Sequence, residues 1–271
     1  MSLLIRFATL ALLLAVGCAH AGDPVARVRV SFDRHGETSV HTEGLADIGA
    51  QRALSADDPA RIASISKLVT TIGAMRLVEA GQLNLDADVS GLLGFSLRNP
   101  AFPQVPITLR MLLSHTSSLT DRAGYWNVPL GDDIRILTIQ PEAWDSQHPP
   151  GTFFRYTNLN FPLVAQTMER ASGERFDRLM RRLVLFPMQL DACFNWSGCS
   201  QAALARAVVL YDEKSAPQKD DLHGKAPACA VIAARDGSCD LSRWRPGENG
   251  TLFSPQGGLR ISARDLARIG R

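Results

Sequence analysis

The chain has 271 residues, of which 45% are hydrophobic, 7% aromatic and 21% charged, and its formal charge is +2. These proportions exclude a disordered, collagen-like or coiled-coil chain, and the absence of any basic block argues against a nucleic-acid partner. The length suits one large domain or two closely packed ones, with a sizeable core in either case.

Residues 1–6 carry one positive charge, Arg6, and residues 7–16 form an apolar run. Ala19-His20-Ala21 then supplies the small-x-small pattern of a signal-peptidase site. Residues 1–21 are therefore expected to be a signal peptide, and residues 22–271 the mature domain. The apolar run is too short to cross a bilayer, so no transmembrane span is expected in the mature chain. Ala15-Val16-Gly17-Cys18 is similar to a bacterial lipoprotein box, which leaves a lipid anchor at Cys18 open beside simple cleavage. Either way the expected location is exported, periplasmic or secreted.

Downstream, residues 25–33 (VARVRVSFD) alternate in part and end at a polar turn, Arg34-His35-Gly36, which predicts a strand. Residues 38–48 are its expected hairpin partner. From Ile65 the period changes: Ile65, Leu68, Val69, Ile72, Met75 and Val78 fall at helical spacing, with Gly81 placed to end the helix. Residues 109–113 predict a short helix, residues 161–171 an amphipathic one closing on Gly173, and residues 176–185 another that stops before Pro187. Residues 191–250 mix Cys, Gly, Pro and charge and read as loops. Residues 261–269 predict a last amphipathic helix capped by Ser262. Strands first, then helices, then an irregular return predict an α+β fold with a helical subdomain beside a sheet.

Cys193, Cys199, Cys229 and Cys239 form an even set in the last third of the chain. An exported protein meets an oxidising compartment where such thiols pair, and the sequence-local pairing, Cys193–Cys199 with Cys229–Cys239, is expected because both loops are short and contain Gly. A zinc site is the rival reading, but no C-x-x-C spacing exists and only His223 lies nearby.

The chemistry begins at Ser64 and Lys67, three residues apart at a helix start and so on one face. A serine hydroxyl is a poor nucleophile until an adjacent base takes its proton, and a lysine amine can do so. The helix N-terminus beside Ser64 favours a developing oxyanion. A second element, PPGTFFRYTN (149–158), leads from a Pro-Gly turn into an extended piece in which Tyr156 and Asn158 project to one side. A phenol near a lysine can share its proton, while an amide can orient substrate. Tyr125-Trp126-Asn127 repeats the Y-x-N form without the Pro-Gly lead-in, so Tyr156 is the expected participant.

Five segments occurring together carry a family resemblance: RIASISKLVT (61–70), GQLNLDADV (81–89), ITLRMLLSHTSSL (107–119), PPGTFFRYTN (149–158) and SPQGGLRISARDLARIGR (254–271). With them the chain resembles the serine β-lactamase and penicillin-binding-protein superfamily, in its class C-like, β-lactamase-related group, which also holds esterases, D-aminopeptidases and D,D-peptidases. The resemblance implies Ser64 as nucleophile, Lys67 as its base partner, Tyr156 as second acid/base and Asn158 as a substrate-orienting residue. His115 would shape the wall near the site as a packing residue.

Three departures stand against the family pattern. Ser118 replaces a usual Gly, and Ala60 a frequent aromatic. The third concerns a K-T-G or H-x-G triad on a strand facing the serine: after Asn158 there is only His223-Gly224-Lys225, which lacks that form. Such a strand donates an oxyanion N–H, worth about 2.7–4 kcal/mol of transition-state stabilisation. Without it and its neighbours, an unpaired sheet edge and an uncovered helix face are expected, as is the lack of the fold's C-terminal strands. Two functional readings follow. One is an exported serine hydrolase acting through an acyl-enzyme on a β-lactam, a D-Ala-type peptide or a small ester, as a monomer. The other is a truncated or inactive relative that binds peptidoglycan fragments or a partner. Neither implies a metal or organic cofactor.

Overall fold

The computed structural model describes residues 24–271; the expected signal peptide and Cys18 lie outside the described residues. Strand β1 (Ala26–Asp33) runs antiparallel to β2 (Gly36–Asp47), with Val30 opposite Val40. Asp33 closes the turn by accepting from the backbone N–H groups of His35 and Gly36. A two-residue strand, β3 (Arg52–Ala53), continues this sheet in the order β1-β2-β3.

A second sheet positions the candidate nucleophile. β4 (Ala60–Arg61) pairs with β8 (Leu259–Ile261), which pairs in turn with β5 (Cys193–Phe194). Ala60 stands opposite Ile261, and Arg61 opposite Arg260. The chain passes from β4 through a 3-10 turn (Ala63–Ile65) into α1 (Ser66–Glu79), so Ser64 sits between a strand and a helix. Helix α1 is tied to the second sheet: Ser66 Oγ accepts from Leu259 N at 3.1 Å, and Thr70 Oγ1 donates to Pro255 O at 2.9 Å.

Short helices α2 (Ser90–Leu93), α3 (Leu109–Leu113) and α4 (Arg135–Thr138) surround the longer α5 (Asn160–Ser172). The expected α3 matches residue for residue. Helix α5 closes on Gly173, whose φ of 70° is the left-handed conformation favouring glycine. It is not amphipathic in its setting: every residue from Asn160 to Glu169 is buried, because helices and the 244–256 return enclose it on all sides. Helix α6 (Phe176–Met180) runs into a π-turn (Arg181–Leu185) rather than continuing as α-helix. Beyond it lie α7 (Gln201–Ala205) and the small hairpin β6 (Leu210–Tyr211) with β7 (Pro217–Lys219). The last helix, α8 (Ala263–Gly270), starts two residues later than expected, since Ile261 belongs to β8; Ser262 caps it by accepting from Asp265 N. No helix of the described residues is long and apolar enough to cross a membrane.

The apolar spacing in α1 locates the helix but not its buried side. Ser66, Lys67, Val69, Thr70, Gly73, Ala74 and Leu77 face inward and Ile72 and Val78 pack in part against the core, while Ile65, Leu68 and Met75 are exposed. Gly73 explains the close approach, since a Cβ there would stand 2.5 Å from Met180 Sδ. The first sheet likewise shows β1 with a neighbour on one side only, and Val28 and Phe32 exposed on it. Among the described residues β1 is thus an edge strand, and α1 leaves Leu68 and Met75 exposed.

Candidate active site

Strand β4 and the turn after it bring Ser64 to the surface with its side chain exposed, while Lys67, one turn on, is buried. The backbone is held in an unfavourable conformation at this point: Ala63, immediately before Ser64, has φ 46°, in the region that glycine favours.

Lys67 Nζ donates to Ser64 Oγ at 3.1 Å, to Asn158 Oδ1 at 2.8 Å and to the Gln256 carbonyl at 2.9 Å. Three acceptors account for all three N–H bonds of an ammonium. Tyr156 reaches the same hydroxyl from the opposite element, its OH donating to Ser64 Oγ at 2.7 Å. Lys67 Nζ also lies 4.9 Å from the Tyr156 ring centroid. Ser64, Lys67, Tyr156 and Asn158, expected to act together, are thus joined in one hydrogen-bonded cluster.

Asn158 is engaged at both ends. Its Oδ1 receives Lys67, and its Nδ2 donates to Asp121 Oδ2 at 2.9 Å. Asp121 further accepts from the backbone N–H of Asn158 and of Leu159, each at 3.0 Å. Neither Asp121 nor the Gln256 carbonyl was expected as part of the site. Asp121 lies 37 positions from Asn158, and no local spacing reports such a contact.

His115 occupies the wall expected of it. Its ring lies 4.6 Å from Tyr156 and 5.7 Å from Phe161, centroid to centroid. Nδ1 accepts from Thr157 N at 3.2 Å, which places the ring proton on Nε2 in the neutral tautomer. Burial, and then the charge of Lys67, push its pKa below the ordinary histidine value. His115 supports Tyr156 by packing. His223 lies in an exposed turn beside Asp221 at 3.4 Å.

The cysteines pair as expected, Cys193 with Cys199 and Cys229 with Cys239, so the zinc rival is set aside by the bonds themselves. Tyr125, the Y-x-N decoy, approaches the site after all: burial, then the Asp121 carboxylate, push its hydroxyl pKa upward. It packs edge-on against Trp126 at 4.3 Å.

A sequence model of the family described as Beta-lactamase matches residues 15–271. Among curated relatives, penicillin-binding protein 4* of Bacillus subtilis (strain 168) is 29% identical over 158 residues, which cover 56% of this chain and 34% of that protein. Esterase EstB of Burkholderia gladioli is 29% identical over 183 residues, covering 59% of this chain and 44% of its own. The matched regions thus span between 34% and 44% of these relatives' lengths. Two solved structures share the fold. EstCE1, a hydrolase with promiscuous acyltransferase activity, superposes with a TM-score of 0.65 at 22% identity, over 90% of this chain and 66% of that one. A class C beta lactamase from Rhodobacter sphaeroides gives 0.60 at 21% identity, over 85% and 56%.

Proposed function

The chain belongs to the Beta-lactamase family, and from that premise we propose that it is an exported serine hydrolase working through an acyl-enzyme. The observation that carries the reading is the convergence of Lys67 Nζ and Tyr156 Oη on one exposed hydroxyl, Ser64 Oγ, at 3.1 and 2.7 Å.

In the proposed cycle, Ser64 Oγ attacks a carbonyl carbon as its proton passes to the Lys67–Tyr156 pair, Lys67 being the base partner and Tyr156 the second acid/base. Lys67 Nζ, 4.9 Å from the Tyr156 ring centroid, lets the two groups share that proton. A tetrahedral oxyanion forms, and as it collapses the bond from carbonyl carbon to the leaving nitrogen or oxygen breaks. Tyr156 returns the proton to the leaving group. Water then adds to the acyl carbon, gives its proton to the same pair and releases the acid, and Ser64 recovers its hydrogen. Asn158, pinned by Asp121, positions Lys67; orienting the substrate is its second proposed role. The substrate class is a β-lactam, a D-Ala-type peptide or a small ester, bound by a monomer. The signal-type N-terminus and the two disulfides support export.

The alternative reading is a relative that binds such compounds without turnover. The test is intact mass after exposure to a serine-directed fluorophosphonate, with a Ser64→Ala control, followed by a panel of lactams, peptides and esters. One adduct on the parent chain and none on the control supports the hydrolase. An adduct without turnover of any panel member supports the binding relative, and an adduct retained in the control overturns Ser64 as nucleophile.

A further inference from the structure

A cavity of about 520 Å³ opens beside the serine cluster, lined among others by Arg61, Tyr125, Trp126, Lys219, Gln256 and Arg260. It adjoins the site through two residues. Gln256 supplies the carbonyl that holds Lys67, and Arg61 precedes Ser64 by three positions on β4. The Arg61 guanidinium lies over Gly257, where a Cβ would stand 3.4 Å from it.

The charge of this cavity is one-sided. Asp220 is the only carboxylate among its lining residues, and it is fully engaged. It accepts from Arg260 Nη2 at 3.0 Å, from Arg260 Nε at 3.3 Å and from Trp196 Nε1 at 2.8 Å. Arg260 is itself buried and further donates to Asn195 Oδ1 and the Gly258 carbonyl. That pair is therefore self-contained. The side chains of Arg61 and Lys219 make no ion pair or hydrogen bond among the described residues. Burial, and then the charges of Arg61 and Arg260, depress the Lys219 pKa, as expected of cations gathered without enough counter-charge.

The rest of the lining mixes apolar side chains with polar ones, among them Asn195, Ser254 and Gln256. Trp126 and Ile232 are exposed to the cavity side of the surface at 49% and 41%. Asn195, Trp196, Asp220 and Ser254, all lining residues, hold φ between 49° and 65°, a conformation rare outside glycine. Such strain gathers where a fixed geometry serves a ligand. Both disulfides brace these walls, Cys193–Cys199 around Asn195 and Trp196, and Cys229–Cys239 behind Val231 and Ile232.

We propose that this cavity receives the acyl side of the substrate and selects an anionic group there, a carboxylate held by Arg61 and Lys219 with its carbon frame against Trp126. The inference rests on the serine-hydrolase reading and narrows its substrate class. A carboxylate between two such cations gains charge-assisted hydrogen bonds, whereas a cationic group is repelled.

The test uses the full chain and three para-nitrophenyl esters of phenylacetic acid, bearing a para carboxylate, its methyl ester or a para aminomethyl group. Nitrophenolate release and the adduct mass on Ser64 are followed. The carboxylate ester should acylate Ser64 about tenfold faster than its methyl ester, and the aminomethyl ester slowest. That preference ratio should fall about tenfold in Lys219→Gln, return in Lys219→Arg, and shrink between about 50 and about 500 mM salt. Equal rates for the carboxylate and methyl esters, or an unchanged ratio in Lys219→Gln, overturn the proposal. A parallel titration of the N-methylamide of para-carboxyphenylacetic acid into Ser64→Ala, read by tryptophan fluorescence, separates the two readings. Binding that weakens about tenfold in Lys219→Gln, with no ester acylating Ser64, retains the cavity and removes the hydrolase; no binding removes the cavity.

Discussion

Asp121 Oδ2 accepts from the side-chain amide of Asn158 at 2.9 Å, and this one bond decides which end of that amide meets Lys67. With Nδ2 committed to the carboxylate, Oδ1 is left to receive Nζ at 2.8 Å. Replacing Asp121 by Asn removes the demand for a donor, and the Asn158 amide can turn its NH₂ toward the ammonium. The expected outcome is a loss of about 10- to 100-fold in the rate of Ser64 acylation, as for a hydrogen bond to a charged group. Stopped-flow acylation of Asp121→Asn, with melting to check the fold, measures it. An unchanged rate removes Asp121 from the positioning of Lys67.

Glu169 is a buried carboxyl outside the site that joins three segments. Its Oε1 accepts from Phe176 N at 2.8 Å and Trp244 Nε1 at 3.2 Å, and its Oε2 from Gly247 N at 3.2 Å. Burial pushes its pKa up to about 8, the three donors opposing and the charge of Asp177 adding to the rise. An acid whose folded pKa is raised holds a proton that the unfolded chain releases. Its contribution is full below the ordinary carboxylate range and is lost as pH climbs through about 8. Between about pH 5 and about pH 8, the unfolding free energy of the parent should fall relative to Glu169→Gln. Urea titrations across that range check the slope, and parallel curves for the two proteins contradict it.

Ser118 carries φ 62° where the family usually has glycine. Its hydroxyl accepts from Asn99 Nδ2 at 3.0 Å, so the serine offsets its own strain with a buried bond. Ser118→Ala loses that bond and keeps the strain; Ser118→Gly loses the bond and relieves it. The glycine variant should be the more stable of the two by about 1 kcal/mol. Melting of the pair is the measurement, and equal stability would mean that φ at this turn carries no cost.

Each disulfide closes a short loop, separated in sequence by 6 and 10 residues. On the chain-entropy account, losing either costs about 2–3 kcal/mol. Reduction should lower the melting temperature and open residues 191–250 to protease first, since this region has little regular structure of its own. The intact mass before reduction should lack four hydrogens, and an unchanged cleavage pattern after reduction would show that the loops are held by packing alone.

Much of this was legible in residue order. The hairpin turn at Asp33, the end of α5 at Gly173 and the Ser262 cap are local devices, in which side chains within a few positions satisfy the backbone. The pairing of Ser64 with Lys67 is equally local, one helical turn. Ile65, Leu68 and Met75 show the limit of such reasoning: periodicity marks an apolar stripe on α1, yet these three stay exposed while Val69 and Leu77 are buried with small and polar residues, against Met180 and β8.

Residue order therefore supplied the family, the α+β class, the four residues that cluster at the candidate site, and the cysteine pairs, because each rests on short spacing or on motifs that travel as units. The folded chain alone placed Asp121 behind Asn158, the Gln256 carbonyl on Lys67, and Arg61 beside Lys219 in one cavity. These contacts join positions up to 189 residues apart, and which distant groups meet is set by packing between elements, which leaves no periodic trace in the sequence.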